Sequence, residues 1–597
     1  MKKAAVCLFL TLSSLPAATG YLVHNHVADD KSTATADFYD SRMVNAWGFT
    51  NGGTFWLCDY GISTLYGVSA TNTTPIGTPN TTIQPTVPGA GGTKGSCTGI
   101  VSTGGTPAAT PPNFPVTAPG KNPVAASFIF VSEDGVLSAW ANGADATQAL
   151  VEVDNSKSAA YKGLAILTTP VPQLYAANFK AGTIDVFDAQ FKPVTLAAGA
   201  FTDSAIPAGF APFNIQALAG KLYVTYAKQD ANKFFDVAGP GNGYVDVYDG
   251  SGKLLQRAVV GGKSGIFSQL TSPLNSPWGV AIAPATFGQF ANDLLVGNFG
   301  DGTINAFDPN TGDSLGALKD ANGNNIKIPG LWAINFGSGA LVDTLYFTAG
   351  PGGQKHGILG SISANPTISA STVTNAGQAA GGIAPNTYVT IKGTTLGATK
   401  RAWATADFGT GGTSLPTSLD GVSVTLNGKP AYVEFISPIQ INILTPTDLA
   451  TSGQIAVVVT DNGLTSGSVN VPAQVVAPSF FLADAAGHVA AQHGNFTSVG
   501  TTGTATPAKP GETVALYGTG FGVTTPAAVN GQVQSGAAPL VVPPTVTIGG
   551  ANAVLFQRGN GQEIYADDVG CRCSVGAPAV GPYDITQRDL LPDQAHN

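Results

Sequence analysis

Charged side chains are scarce in this chain of 597 residues. Asp, Glu, Lys and Arg together make up 11% of it, whereas about 25% is typical of globular proteins. The 27 basic residues are outnumbered by 36 acidic ones, and they form no cluster that could follow a phosphate backbone. We therefore expect no nucleic-acid partner.

The common motifs of catalysis are also absent. Six His residues are present, but the sequence contains neither an HExxH zinc motif nor a GxSxG serine motif. The GTGFG at residues 518–522 stands between strand-like segments with no helical pattern after it, which indicates a β-turn and not a dinucleotide-binding loop. The sequence predicts no cofactor, with Ca²⁺ as the one exception considered below, and it favours a protein that is not an enzyme.

Long apolar runs are missing outside the N-terminus. Residues 4–15 are apolar, follow Lys2 and Lys3, and precede small residues around Gly20, in the order typical of a secretory signal peptide. We expect this signal at residues 1–20, with no separate role for Cys7. No other run reaches the ~20 residues that span a bilayer. The expected mature protein has no membrane span and is secreted or held in the periplasm or cell envelope.

Gly and Pro, by contrast, are abundant, at 76 and 40 residues. With 43% hydrophobic residues they favour short strands joined by turns, and hence an all-β fold. A hairpin pattern, LYAANFKAGTIDVFD at residues 174–188, returns as LLVGNFGDGTINAFD at 294–308 with eight of fifteen positions identical. Weaker copies bring the number of cycles to six, spaced 47 to 72 residues apart, which is typical of propeller blades.

Small residues recur in the strand before each hairpin, as in Trp47-Gly48-Phe49 and Trp278-Gly279-Val280. Strands crowded around a central axis need such small side chains. The sixth blade ends near Ile362 after only three predicted strands. We expect residues 21–27 to supply its outermost strand, because closing the ring removes exposed sheet edges. Two Thr/Pro/Gly-rich segments, 71–95 and 103–123, are expected to be exposed loops.

The segments YLVHNHVADD (21–30) and MVNAWGF (43–49), together with these hairpins, resemble an uncharacterised family of secreted, NHL-like six-bladed β-propellers. The resemblance covers residues 21–362. It implies a propeller fold and an exported location, and it carries no settled activity.

A different repeat follows a Ser/Thr/Ala-rich segment, 363–380, that we interpret as a linker. IAPNTYVTIKGTTLG (383–397) returns as AKPGETVALYGTGFG (508–522), which predicts two Ig-like β-sandwich modules at 381–480 and 481–556. With ISPIQINILTP (436–446), they resemble an acidobacterial Ig-like (IPT-like) domain family. That resemblance implies a bacterial source and a spacer or adhesive role.

The pattern changes after Phe556. Nine of the last 41 residues are charged, or 22%, and strand alternation is lost. We interpret residues 557–597 as an irregular tail, of the kind that a shifted reading frame would produce. The second sandwich would then be incomplete, and Cys571 and Cys573 would be incidental.

Candidate ligand-binding residues lie at equivalent ends of the second strands of successive blades, and near the loops that enter the inner strands. Two interpretations are open: each Asn or Asp caps its own turn, or the face forms an oxygen-rich mouth for Ca²⁺ or a polar ligand. The candidates are Asp59, Glu133, Asp134, Asn178, Asn298 and Asp301, with Lys162, Asn214, Trp278 and Trp332 beside them and Asn45 nearby.

Cysteine and histidine supply two further expectations. Cys58 and Cys97 are predicted to form a disulfide between the first two blades, the alternative being two unpaired thiols. His24 and His26 place two rings on one face of a strand, where a metal could bind, although a satisfied edge strand is favoured.

These observations favour a secreted binding or scaffold protein with a propeller recognition head and an Ig-like stalk. Its partner would be an extracellular polysaccharide, a protein or a small polar ligand. The alternative is a metal-dependent, lactonase-like hydrolase that uses the polar face, which resembles six-bladed lactonases in fold class only.

Overall fold

The computed structural model describes residues 20–585, except for 52–53, 69–75, 105–108, 260–271, 321, 339–340, 378–381, 398, 410, 485–486, 496, 501–504, 510–511, 535–537, 549–550, 553, 558–562, 568–572 and 578–579. The predicted signal peptide and Cys7 lie outside these residues. The chain divides into two compact units after Ala364. In the described part of the chain, no helix is both long and apolar enough to cross a membrane.

The N-terminal unit is built from short antiparallel strands, with 3-10 turns at Ala90–Gly92 and Gly288–Phe290 and one short helical turn, α1, at Pro351–Gln354. Its strands are β1 (Tyr21–Ala28), β2 (Phe38–Tyr39), β3 (Phe49–Asn51), β4 (Thr54–Asp59), β5 (Ile62–Val68), β6 (Ile76–Pro79), β7 (Cys97–Ser102), β8 (Pro115–Val116), β9 (Val124–Ala125), β10 (Phe128–Ser132), β11 (Val136–Trp140), β12 (Leu150–Asp154), β13 (Tyr161–Leu167), β14 (Gln173–Asn178), β15 (Thr183–Asp188), β16 (Phe210–Leu218), β17 (Lys221–Lys228), β18 (Gly243–Tyr248), β19 (Leu254–Val259), β20 (Pro277–Ile282), β21 (Leu294–Asn298), β22 (Ile304–Phe307), β23 (Ser314–Ala317), β24 (Leu331–Phe336), β25 (Leu345–Ala349) and β26 (Ile358–Ala364).

These strands form six blade sheets among the described residues, as the repeat predicts. In chain order they are β3-β4-β5-β6, β7-β10-β11-β12, β13-β14-β15, β16-β17-β18-β19, β20-β21-β22-β23 and β24-β25-β26-β1, with β2 added in parallel to β1 and a separate β8-β9 hairpin. The all-β propeller fold predicted from the sequence is therefore confirmed.

The ring closes through the N-terminal strand, which confirms the predicted closure. β1 pairs antiparallel with β26, from Tyr21 opposite Ala364 to Ala28 opposite Ile358, with a bulge between Asn25 and Val27. Tyr21 anchors the strand at its start, because its buried hydroxyl donates a hydrogen bond to the Phe287 carbonyl (3.2 Å). The last blade thus joins the two ends of the propeller and leaves no unpaired edge on β26.

Glycines let the inner strands approach one another. A Cβ atom on Gly163 would lie 2.0 Å from Oδ1 of Asn214 in the next blade, and one on Gly279 would lie 2.6 Å from the carbonyl oxygen of Trp332. Real side chains do not tolerate such distances. The small residues read from the sequence are therefore required by the crowding at the axis.

The expectation that residues 71–95 and 103–123 are exposed loops was wrong at several of the described positions. β6 is the outer strand of the first blade. Val87 is 1% exposed and packs in a cluster with Cys58 and Cys97, and Phe114 is fully buried. Single apolar residues in these Thr/Pro-rich segments pack against the blades, although the segments lack the apolar/polar alternation of a strand.

The C-terminal unit consists of paired sheets with a 3-10 turn at Thr405–Asp407. Its strands are β27 (Thr367–Asn375), β28 (Tyr388–Thr394), β29 (Arg401–Ala402), β30 (Ser418–Leu419), β31 (Val422–Leu426), β32 (Lys429–Pro430), β33 (Tyr432–Ser437), β34 (Gln440–Leu444), β35 (Gln454–Asp461), β36 (Leu464–Thr465), β37 (Val469–Pro472), β38 (Ser479–Phe480), β39 (Ala491–His493), β40 (Val514–Thr519), β41 (Thr545–Ile548), β42 (Ala551–Asn552), β43 (Val554–Gln557), β44 (Glu563–Asp567), β45 (Cys573–Ala577) and β46 (Val580–Ile585).

The first Ig-like module packs the sheet β27-β28-β34-β33-β29 against a sheet built on β31 and β35. Its core is aliphatic and includes the fully buried Ile391, Ile443 and Val457. The predicted linker at 363–380 was wrong, because β26 continues to Ala364 and β27 is the first strand of this sandwich, paired with β28. The Ser and Thr residues of this segment lie in a strand, and such residues are tolerated on the half-exposed face of a sheet.

The predicted irregular tail after Phe556 was also wrong. β44 pairs with both β40 and β43, while β45 pairs with β41 and β46. The second module therefore has strands where the sequence indicated an incomplete sandwich. Glu563 and Asp567 are the first and last residues of β44, so that the charge of this segment does not prevent it from forming a strand. Cys571 lies outside the described residues, and the origin of the segment stays untested.

Cys58 and Cys97 form the predicted disulfide, with their Cα atoms 5.4 Å apart. It joins the second strand of the first blade to the inner strand of the second blade across a sequence separation of 39 residues. Replacing both cysteines by Ser is expected to lower the free energy of unfolding of the propeller by about 4 kcal/mol, because the loop they close restricts the unfolded chain.

Thermal unfolding with and without a reductant measures this effect. The reductant should lower the unfolding temperature of the wild type and leave that of the double variant unchanged. Equal sensitivity of both proteins would contradict the assignment.

Candidate functional site

One residue from each blade occupies an equivalent position at or just before the inner strand. Five of these residues stand immediately before a Gly or Ala, and the sixth, Phe213, stands before Asn214. Trp47 stacks on Trp332 with ring centroids 3.5 Å apart, and Trp278 meets both edge-on at about 6 Å. Rings from non-neighbouring blades can meet only at the axis. We call this the axial layer: Trp47, Thr98, Lys162, Phe213, Trp278 and Trp332.

Lys162 is the one cation of the axial layer, and it is only 2% exposed. Its ammonium group forms an ion pair with Glu133, whose other carboxylate oxygen accepts a hydrogen bond from the Ser96 hydroxyl (3.0 Å). The same ammonium lies 4.9 Å from the ring centroid of Phe234 and 5.5 Å from that of Trp47. A buried charge is tolerated when it is paired and hydrogen-bonded, and aromatic faces add cation–π attraction.

Hydrogen bonds link the predicted neighbours of this lysine. The Trp278 indole donates to the Lys162 carbonyl (2.8 Å), and the Asn214 amide donates to the Trp278 carbonyl (2.8 Å). The Trp332 indole donates to Oδ1 of Asn45 (3.0 Å). The structure thus brings Asn45, Lys162, Asn214, Trp278 and Trp332 together, but as a packed layer and not as an open mouth.

The polar residues that end the second strands bond to the turns beside them. Oδ1 of Asn178 accepts hydrogen bonds from the Ala160 and Ala181 amides, both at 3.2 Å. The remaining turn residues behave alike: Asp134 accepts from the Ser96 amide, Asn298 accepts from the Asn275 amide and donates to the Pro273 carbonyl, and Asp301 accepts from the Thr303 amide and hydroxyl. Asn178 and Asp301 thus cap their own turns, as Asn and Asp commonly do. Asp134 and Asn298 instead bond to the loop that enters the inner strand of their blade.

Asp59 is the one carboxyl group of this set that is fully buried. One carboxylate oxygen accepts hydrogen bonds from the Thr64 hydroxyl (2.6 Å) and amide (3.3 Å), while the other has no hydrogen-bond partner among the described residues. Burial raises the pKa of Asp59 to about 8. The carboxyl group therefore holds its proton at a pH where an exposed aspartate is ionised.

A cavity of about 240 Å³ extends from the axial layer along the inner strands to their C-terminal ends. Its polar side chains are all neutral, namely Thr50, Ser102, Asn214, Gln216 and Asn335, and its apolar wall includes Ile100, Leu164, Ile334 and Trp278. Sequence analysis named Asn214 and Trp278 but missed the other residues of this site. The available signal was the polar residue three places after the axial-layer residue in three blades: Thr50, Gln216 and Asn335.

Two groups of three metal-ligating side chains occur among the described residues: His24, His26 and Asp37, and Asp29, Asp30 and His356. Neither group contains a residue of the predicted polar face. Both groups lie on the closing strand and the segments beside it, and the first contains His24 and His26, which the sequence had already suggested as possible metal ligands.

Comparison with known proteins adds one domain assignment. Residues 366–472 match the IPT/TIG domain family, which agrees with the first Ig-like module. The chain is similar to two uncharacterized proteins of Acanthamoeba polyphaga mimivirus: R640, 31% identical over 240 residues (40% of this chain, 42% of R640), and L690, 34% identical over 209 residues (34% of this chain, 51% of L690). The chain spans about half the length of the curated relatives it matches.

Solved structures with related shapes include a nidogen/laminin complex (11% identity, TM-score 0.29, 50% of this chain and 85% of that chain). A gluconolactonase from Xanthomonas campestris (16% identity, TM-score 0.25, 40% and 82%) and a virginiamycin B lyase from Staphylococcus aureus (11% identity, TM-score 0.30, 57% and 99%) are also similar. Likeness at this level assigns no activity to the chain.

The Lys162–Glu133 pair generates a stability prediction. Lys162→Met should lower the free energy of unfolding by roughly 3–5 kcal/mol, because it leaves the Glu133 carboxylate without its counter-ion in a mostly buried place. Glu133→Gln should also lower the free energy of unfolding. The double variant should lose less than the sum of the two single losses, since residues in direct contact are coupled.

Denaturant unfolding of the four proteins measures the coupling. Lys429→Met, which breaks an exposed ion pair with Asp448, is the control and should change stability by less than about 1 kcal/mol. Additive losses for Lys162 and Glu133 would contradict the pairing.

Asp59 generates a pH prediction. Above pH ~4 the unfolded chain loses its Asp proton, whereas folded Asp59 keeps it up to pH about 8. The folded state then binds more protons, so stability falls as pH rises through this window, by at most about 1.4 kcal/mol per pH unit. Asp59→Asn should remove this contribution and flatten the stability profile.

Thermal unfolding between pH 4 and pH 8 provides the measurement. The variant should gain stability relative to the wild type as pH rises, while Asp313→Asn at an exposed turn should follow the wild-type profile. Parallel profiles for Asp59→Asn and the wild type would show that Asp59 ionises normally.

Proposed function

We propose that this is an exported binding protein whose propeller recognises a small, neutral, polar ligand such as a carbohydrate in the axial cavity. The observation that carries the proposal is the lining of that cavity, where hydroxyl and amide groups converge and no ionisable side chain is present. Neutral donors and acceptors beside apolar walls suit hydroxyl-rich ligands, because each ligand hydroxyl can be paired while its carbon skeleton is covered.

The axial layer supports binding over catalysis. Its three tryptophan rings pack against one another, and Trp278 also lines the cavity. Its only charged group, Lys162, is held by Glu133 and covered by Phe234 and Phe235, and it does not line the cavity. General acid–base chemistry needs a titratable group within hydrogen-bond reach of the substrate, and the cavity wall offers none.

The Ig-like unit extends the proposal to a scaffold role. Its first module matches the IPT/TIG family, and such modules commonly act as spacers or adhesive units by analogy of fold. Export is supported by the basic and then apolar order of residues 2–15. A bacterial source is an expectation from the Ig-like resemblance, while the curated relatives named above are viral.

The test is to screen neutral mono- and oligosaccharides against the purified full chain by ligand-observed NMR and then by calorimetry. Ser102→Trp places a large ring at the cavity wall and should abolish binding. Ser314→Trp makes the same substitution on β23, the exposed outer strand of the fifth blade, and should bind as the wild type does.

Two results would overturn the proposal. One is equal binding by both Trp variants, which would place the ligand elsewhere. The other is turnover of a lactone that depends on added Ca²⁺ and persists in Ser102→Trp, which would favour the lactonase-like alternative.

A further inference from the structure

Three ligating atoms lie together on the strand that closes the ring. Nε2 of His24 is 2.8 Å from Oδ2 of Asp37, and Nδ1 of His26 is 3.2 Å from the same oxygen. The two imidazole rings are 4.7 Å apart between centroids. Two histidines two residues apart on a strand face the same side, but the third group became visible only when the loop after β1 was folded back beside it.

The backbone holds these three residues in place. His26 lies at the bulge of β1, between Asn25 and Val27, and bulges re-aim the side chains they carry. Asp37 immediately precedes β2, which pairs in parallel with β1. Its amide donates to the Asn25 carbonyl (3.3 Å), and the Asn25 side chain donates to the Thr35 carbonyl (3.3 Å). The carboxylate is therefore fixed to the strand and not carried on a free loop.

A second hydrogen bond orients the buried histidine. His26 is 2% exposed, and its Nε2 lies 2.8 Å from the Ser361 hydroxyl on β26. A hydroxyl can donate or accept, so it supports either tautomer of the ring. With the proton on Nε2, the ring donates to Ser361 and turns the Nδ1 lone pair toward Asp37, which is the arrangement that metal-ligating histidines adopt.

From this geometry we infer that His24, His26 and Asp37 bind one divalent transition-metal ion of the Zn²⁺ class. Two imidazole nitrogens and one carboxylate oxygen form a donor set that such ions prefer. Tetrahedral ligands at zinc distances lie ~3.3 Å apart, so the observed 2.8 and 3.2 Å need to widen by only a few tenths of an ångström. His24 is 49% exposed and leaves the fourth position to water.

The ion would tie the segment from Asp29 to Asp37 to the strand that closes the propeller. It would therefore act on ring closure and not in the axial cavity, so this inference is independent of the proposed ligand. The nearby group of Asp29, Asp30 and His356 contains one imidazole only. Its Asp30 already accepts hydrogen bonds from the Ser32 amide and hydroxyl (both 2.6 Å), which makes the group a matched comparison.

Titration of the chelator-treated full chain with Co²⁺ and Zn²⁺ tests the inference. Visible Co²⁺ absorption should saturate at one equivalent and be displaced by Zn²⁺. His24→Gln and Asp37→Asn, both at partly exposed residues and expected to fold, should abolish the saturable signal. Ser361→Ala keeps all three ligands and should weaken binding about 10-fold through the loss of its hydrogen bond to His26. His356→Gln, which disrupts the neighbouring group, should bind as the wild type does.

Thermal unfolding supplies an independent readout, because an ion that binds only the folded chain raises the unfolding temperature in proportion to the logarithm of its concentration. Zn²⁺ should raise it for the wild type and His356→Gln and leave His24→Gln unchanged. Saturable binding that survives His24→Gln and Asp37→Asn, or that is lost in His356→Gln alone, would overturn the inference. So would the absence of saturable binding to the wild type.

Discussion

Pairing of the first strand with the last is the interaction on which the N-terminal unit depends. β1 and β26 are separated by more than 300 residues in the sequence, yet they form one antiparallel ladder interrupted by a single bulge. Joining such distant segments carries a loop-closure entropy that grows only slowly with length, and the ladder, together with the buried Tyr21 and Val27, offsets it. The axial layer and the axial cavity both require a closed ring.

Closure forces the six inner strands together, and the crowding explains the arrangement of residues along each of them. The first position meets its equivalents at the axis and becomes the axial layer. The next position is Gly or Ala in five blades and Asn214 in the fourth, and a Cβ at Gly163 or Gly279 would collide with the neighbouring blade. Beyond it the strands leave room, and Thr50, Gln216 and Asn335 border the cavity. The axial layer and the cavity are thus two consequences of one constraint.

Much of the fold could be predicted because it rests on local patterns. Hairpin repeats predicted the blades, the incomplete sixth blade predicted closure by residues 21–27, and the positions of Cys58 and Cys97 predicted the disulfide. The failures share a cause as well. Val87, β27 and the strands after Phe556 lie in segments whose composition looked irregular. Contacts with other segments order them: Val87 packs beside Cys58 and Cys97, β27 pairs with β28, and β44 pairs with β40. Of the predicted site residues, Lys162, Trp278, Trp332, Asn214 and Asn45 lie together in a packed layer, and their role in ligand binding stays a prediction.

The sequence by itself determined the all-β class, the number of blades, the strand that closes them and the disulfide, since periodicity, turn residues and cysteine placement are local or nearly local properties. Only the tertiary structure decided which partners each polar side chain has. It committed Asn178, Asn298 and Asp301 to hydrogen bonds within the loops of their own blades, buried Lys162 against Glu133, and brought Asp37 to His24 and His26. Such outcomes depend on distances between segments remote in the sequence, and burial and hydrogen bonding are set only when those segments pack together.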